Sequence, residues 1–214
     1  MENRLIVTAA PHIVDHSSTQ KLMGNVIIAL LPSVLASVVI FGIRALLVEA
    51  VTVFACVAFE YVYCYLMKKP IPVGDLSAVV TGLILAMNLP VSIPLWIAIV
   101  GAFVAIVITK QLFGGIGFNL ANPALVGRLF LFTSFASRMT TWTFPETFSG
   151  VDALSTATPL VDGQTTPLPV LDLFLGVHGG VLGETSSIAI LLGFIYLVAT
   201  KTISPAIPLT YVGT

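Results

Sequence analysis

Charge is what this chain has least of. Asp, Glu, Lys and Arg make up 9% of its 214 residues, where a soluble domain carries about 25%. That deficit excludes an ordinary water-facing surface. Hydrophobic residues reach 57% and mean hydropathy is +1.05, so the chain reads as a polytopic membrane protein. Its net charge of −1 comes without a basic cluster, which excludes nucleic acid as a partner. Cysteine is nearly absent too. Cys56 and Cys64 both fall inside an apolar run, where buried structural thiols are expected and a disulfide is not. A metal or cluster there would need further ligands from a partner chain. Histidine is equally sparse. His12 and His16 are four apart, but Pro11 and the neighbouring serines make that stretch irregular, and His178 sits in a glycine-flanked loop. Contact with partners or solvent suits these better than metal ligation. No Walker loop, dinucleotide fingerprint, Cys-x-x-Cys or hydrolase triad signature appears. The chain therefore holds no complete active site of its own. Its polar start, residues 1–22, lacks a basic head running into a short apolar stretch, so it reads as a cytoplasmic segment rather than a signal peptide.

What is present is a series of apolar helices of unequal length. Gly24–Ile43 and Leu46–Met67 are each long enough to cross a hydrocarbon core of roughly 30 Å, and Pro32 is expected to kink the first. Leu76–Leu89 follows Asp75, a good N-cap, and stops before Pro90. About fourteen residues give only about 21 Å of helix. Ile93–Thr109 looks like an ordinary span. Asn122-Pro123-Ala124 then reads as an N-cap with proline at the first helical position, opening a second short helix that ends near Phe135. A last span covers Ser186–Thr200. Short, capped, Gly- or Pro-interrupted apolar helices point to half-helices whose ends line a site. The fold class is thus all-α: full transmembrane helices, short half-helices and one long external loop. The expected division is residues 1–22 as a cytoplasmic segment, 23–135 as the membrane domain, 136–185 as the external loop, and 186–214 as the last span with a C-terminal segment.

Orientation follows from Lys and Arg in the connections. A cytoplasmic N-terminus puts Arg4, Lys21, Lys68, Lys69, Lys110 and Lys201 inside and only Arg44 and Arg138 outside. It also puts residues 136–185, with Glu146, Asp152, Asp162, Asp172 and Glu184 against Arg138 alone, on the outer face. Two charges remain within the apolar helices. Arg128 is costly there unless paired or hydrated, and it is a functional candidate by default. It is expected to reach a phosphate or ring carbonyl of a bound group, or to pair with Glu60 or Glu49. A snorkelling or helix-pairing arginine is the plainer alternative. Glu60 is either a cation ligand or the counter-charge that makes Arg128 tolerable.

The polar loop holds Asp152-Ala153-Leu154-Ser155-Thr156-Ala157-Thr158-Pro159-Leu160. This run resembles the flavin-attachment pattern D-x-x-[ST]-x-A-T, in which the last threonine carries FMN through a phosphoester. Small side chains before Thr158 leave room for a modifying enzyme to close on the backbone. Pro159 biases Thr158 toward extended backbone, which holds its hydroxyl out.

Further stretches match in order: Pro11-His12-Ile13 with Ser17-Ser18-Thr19, Phe113-Gly114-Gly115 followed by Asn122-Pro123-Ala124, and Gly183-Glu184-Thr185-Ser186. Together with the Thr158 motif they make the chain resemble the RnfD component of the Rnf electron transport complex, a family related to the NqrB component of the sodium-pumping NADH:quinone reductase. The resemblance implies a membrane subunit of a ferredoxin:NAD oxidoreductase coupled to Na⁺ or H⁺ translocation, in a bacterial or archaeal cytoplasmic membrane. It implies covalent FMN at Thr158, attached by a flavin transferase on the outer face, and a riboflavin in or near the subunit. Other Rnf subunits would handle NAD and ferredoxin. Family members continue with further spans, so a chain ending at Thr214 reads as a fragment of a longer product or as a reduced member. Two readings compete. A channel or solute transporter also suits paired half-helices, and a passive scaffold would need no flavin. The Thr158 motif separates them, because a pore does not require it.

Overall fold

The computed structural model describes residues 18–69, 73–141, 179–184 and 186–213. These residues are helical and hold no strand; a single bridge joins Pro90 and Val181. Helix α1 spans Thr19–Phe41 and α2 spans Ile43–Leu66. Both are long and apolar enough to cross a membrane by length and composition. They are separated by Gly42 alone, at φ 74°, a left-handed conformation that glycine adopts without steric cost. Ser18 starts α1 by accepting from the Lys21 amide, as an N-cap serine does. Leu35, Val39, Phe54 and Tyr65 stand exposed along the two helices. Side chains of this kind need a lipid or protein neighbour.

The remaining helices are short. Helix α3 is Ser77–Met87, with 11 residues, and α5 is Pro123–Ser134, with 12. At 1.5 Å per residue each is about 17 Å long. Helix α5 starts where expected, and α3 starts one residue later than expected, with Leu76 at φ 62° in the cap position. Asp75 Oδ1 accepts from the Ser77 amide at 2.8 Å, and Asn122 Oδ1 accepts from the Ala124 amide at 3.0 Å ahead of Pro123. A four-residue helix α6, Ala136–Met139, follows α5, then α7 at Ser187–Ala199 and α8 at Ala206–Gly213. The last expected span is thus 13 residues long. Ser186 caps it by accepting from the Ala189 amide.

Helix α4 departs from the expected ordinary span. It begins at Leu95 as nine α-helical residues to Phe103 and continues as eight residues of π-helix, Val104–Gln111. Wide-turn bonds carry on past its end, with Leu112 N donating to Val107 O and Gly115 N to Lys110 O. The π segment is rich in β-branched residues (Val104, Ile106, Val107, Ile108, Thr109), which crowd a tight α-turn.

Close packing joins these elements at small residues, the usual solution for helices within a membrane. A Cβ on Gly82 of α3 would lie 2.8 Å from the Val53 Cα of α2, and one on Gly193 of α7 would collide with the Ala29 carbonyl of α1. Helix α2 is the hub, packing on α1, α3 and α4, while α5 packs on α3 and α4. Two clusters form the core. One gathers Phe41, Ala45, Val91, Ile93, Met139 and Leu182. The other gathers Cys56, Ala78, Leu85, Ala105, Ile106 and Ala124.

The C-terminus of α3 ends against protein. Gly183 N donates to Met87 O at 2.8 Å and Leu182 N to Leu89 O at 3.1 Å, so carbonyls that a helix end leaves free are satisfied. Nearby, Arg44 binds the Val91 and Ile93 carbonyls at 3.2 and 3.3 Å. The opposite end of the bundle holds Asn25 bonded to Thr202, together with the Lys68 and Lys69 end of α2. Lysines therefore collect at one end and Arg44 and Arg138 at the other, with one correction. Lys110, expected among the cytoplasmic connections, is 2% exposed within the π segment. It belongs to the core, not to the loop charges.

Candidate functional site

The site grows from one feature of α4. On an α-helix adjacent residues point about 100° apart and do not face the same partner. In the π segment they do. Lys110 Nζ and Gln111 Nε2 both donate to Glu60 Oε1 of α2, at 2.6 and 2.7 Å. Glu60 is 0% exposed and its Oε2 has no hydrogen-bond partner among the described residues. Lys110 also donates to the Ser77 hydroxyl, and Ser77 donates to Asp75 Oδ1 at 2.5 Å. Cys64, one turn past Glu60, lies 3.8 Å from Gln111 Oε1. The network thus runs from half-buried Asp75 at the start of α3 to a wholly buried carboxylate in the core.

This arrangement corrects the sequence reading of the intramembrane charges. Glu60 is paired, but with Lys110 and not with Arg128. Arg128 Nη1 binds Asn88 Oδ1 at 2.7 Å instead, and Asn88 Nδ2 donates to Ile84 O at 2.7 Å. Arg128 therefore sits at the C-terminal end of α3, where a helix dipole favours a cation. Glu49 is a separate buried group. It accepts from the Ser37 hydroxyl at 2.6 Å across α1 and α2, and its Oε2 is unpartnered among the described residues. Sequence reasoning missed Lys110. The signal was the polar triplet Thr109-Lys110-Gln111 closing an apolar helix, facing a glutamate that needs a cation to be tolerated.

Lys110 also lines a cavity of about 430 Å³ with Ser77, Thr81, Asn119 and Asn122. The N-termini of α3 and α5 border it, so amide dipoles face one space, and Lys110 lies in the wall with Nζ held by Glu60 and Ser77. Asn119 Oδ1 is buried there without a partner among the described residues. This wall offers donors, a cation and one waiting acceptor. It suits a planar ring edge that carries carbonyls beside an N–H. A second cavity, about 550 Å³ and largely apolar, lies between α1 and α7 with Ser33, Asn88, Arg128 and Glu184 in its wall.

Cys56 and Cys64 are free and buried, as expected. Among the described residues no group of three His, Cys, Asp or Glu could hold a metal ion. Thr158 and its motif, His12, His16, His178 and most of the expected external loop lie outside the described residues.

Comparison with known proteins gives consistent matches. The sequence profile of the NQR2, RnfD, RnfE family matches residues 6–214. The chain is 46% identical over its whole length to the D subunit of the Na⁺-translocating ferredoxin:NAD⁺ oxidoreductase complex of Acetobacterium woodii, covering 68% of that protein. It is 39% identical over its whole length to the D subunit of the proton-translocating ferredoxin:NAD⁺ oxidoreductase complex of Clostridium ljungdahlii, again covering 68%. It is 37% identical over 96% of its length to the D subunit of the ion-translocating oxidoreductase complex of Rhodobacter capsulatus, covering 66%. The chain thus spans about two thirds of the length of these relatives.

Proposed function

This chain belongs to the NQR2, RnfD, RnfE family, and from that premise we propose that it is an electron-carrying membrane subunit of an ion-translocating ferredoxin:NAD oxidoreductase of the Rnf type. The observation that carries the reading is the flavin-attachment motif Asp152–Thr158 within a chain 46% identical over its full length to the Acetobacterium woodii protein. FMN is held covalently through the Thr158 hydroxyl, put there by a flavin transferase. Electron flow through the complex drives Na⁺ or H⁺ across the membrane. Flavin, when bound, supplies the one-electron chemistry, and the protein supplies position and electrostatics. NAD and ferredoxin are handled by other subunits.

We assign the riboflavin implied by the family to the cavity beside Lys110. The Asn119 carboxamide presents an acceptor that the ring N–H of a flavin would satisfy, and Lys110 with the two helix N-termini would face its carbonyl edge. Helices α3 and α5 are read as half-helices ending within the membrane, since each is shorter than a hydrocarbon core is thick. The transporter reading shares those helices but leaves the Thr158 motif without a role.

Two experiments test this. Mass analysis of the chain matured with a flavin transferase should find an FMN adduct on the peptide spanning Asp152 to Leu160, removed by Thr158→Val. An adduct surviving that change would move the flavin elsewhere. The Lys/Arg asymmetry favours an N-terminus on the cytoplasmic side of the membrane and residues 136–185 on the outer side. With Cys56 and Cys64 replaced, Ser149→Cys should react with a membrane-impermeant thiol reagent in intact cells and Ser17→Cys should not. The opposite pattern would reverse the topology.

A further inference from the structure

We propose that Asp75, Ser77, Lys110 and Glu60 form a proton path that loads Glu60 from the end of the bundle where α3 begins. Asp75 is half-buried beside exposed Gly74, so solvent reaches this end of the path. Ser77 Oγ donates to Asp75 Oδ1 and receives a hydrogen bond from Lys110 Nζ. Lys110 Nζ donates to Glu60 Oε1 at 2.6 Å. Every donor is within direct reach of the next acceptor. The path ends on Glu60, where Oε1 accepts from Lys110 and Oε2 is buried without a partner among the described residues.

Leaving Oε2 unpartnered makes the ionised form of Glu60 costly, because a half-satisfied buried carboxylate is expensive. Protonation at Oε1 turns this half-satisfied carboxylate into a neutral carboxyl. The hydroxyl of Ser77 lets the chain reset, since it is both donor and acceptor and rotates freely. Lys110 passes a proton to Glu60 and becomes a neutral amine. The Ser77 hydroxyl turns and gives its proton to that amine, while protonated Asp75 gives its proton to Ser77 Oγ. Asp75 is left as carboxylate, Lys110 as ammonium and Glu60 as neutral acid. The net change is one proton taken from solvent and no other bond made or lost.

Among the described residues, the charged and titratable groups facing Glu60 are few. From α4 comes Lys110, beside neutral Gln111. From α2 itself come Cys56 and Cys64, both buried thiols within electrostatic range of Glu60 and Lys110. Lys69 acts on Cys64 from the end of α2, and Asp75 enters through Ser77. With Asp75 and Glu60 ionised and Lys110 protonated, the path carries one net negative charge. Loading cancels it. Because Lys110 also lines the cavity with Asn119, loading would offset an electron arriving on a carrier held there. That last step rests on the function proposed above; the proton path does not.

Infrared difference spectroscopy of the assembled complex in membranes separates the two. Lowering the pH in the oxidised complex should raise a protonated-carboxyl band that shifts in D₂O and is missing in Glu60→Gln. Ser77→Ala keeps the ion pair and breaks the path, and should slow H/D exchange of that band about a hundredfold. Glu60→Asp should keep a shifted band, which controls for misfolding of the amide variant. No Glu60 band at any pH, or unchanged exchange in Ser77→Ala, would overturn the path. Reduction of the complex should raise the same band. A band that follows pH but ignores reduction would support the path and count against an electron carrier in the cavity.

Discussion

Two glutamates on one helix show how differently a buried charge can be accommodated. Glu49 and Glu60 both belong to α2, both are almost inaccessible, and each leaves one oxygen unpartnered among the described residues. Among the described residues Glu49 meets only the Ser37 hydroxyl, which also donates to the Val34 carbonyl of its own helix. The contact ends there. Glu60 meets an ammonium, a carboxamide and, through Lys110, a serine and a second carboxylate. A neutral hydroxyl can anchor one helix to the next, but it connects to nothing further. A charged partner extended by hydrogen bonds reaches the end of the bundle. The π segment makes the difference, because it aims two successive side chains at one oxygen. Chemistry is therefore expected at Glu60, and simple helix pairing at Glu49.

This contrast predicts a graded series, read as unfolding free energy in mixed micelles. Lys110→Met removes the ammonium bonded to Glu60 and should cost about 3–5 kcal/mol, as expected when one partner of a buried pair is lost. Pairing it with Glu60→Leu should recover much of that loss, since two apolar side chains often replace a buried pair at little cost. Glu49→Gln keeps an acceptor for Ser37 and should change stability by about 1 kcal/mol or less. A Glu49→Gln effect as large as that of Lys110→Met would erase the distinction. A double variant no better than Lys110→Met would show that the pair is needed for more than charge balance.

Much of the membrane domain is legible in the sequence because apolar length and capping residues are local signals. The runs at Gly24–Ile43 and Leu46–Met67 appear as Thr19–Phe41 and Ile43–Leu66, and the Asp75 and Asn122 starts are where the side chains can bind free amides. Pairing is less legible. The sequence points Arg128 toward Glu60 or Glu49, yet Asn88 holds it, because partner choice depends on how α3 and α5 lie against each other. Lys110 reads as a loop charge because a lysine near the end of an apolar run normally snorkels to water. The π winding turns it inward instead. Its β-branched run is readable, but helix winding is set by packing as well as by propensity.

If this subunit carries electrons on a flavin at Thr158, ion movement depends on that one hydroxyl. Thr158→Val deletes it from a polar segment and should leave assembly intact. Moving one charge against 100 mV takes about 2.3 kcal/mol, so ion uptake must fall if its electron supply stops. The decisive measurement is ferredoxin-driven NAD reduction, with ion uptake, in vesicles holding the assembled Thr158→Val complex. Both activities should be lost while the subunits remain together. Both activities at the level of the unaltered complex, with FMN shown to be absent from the subunit, would contradict the electron-carrying role.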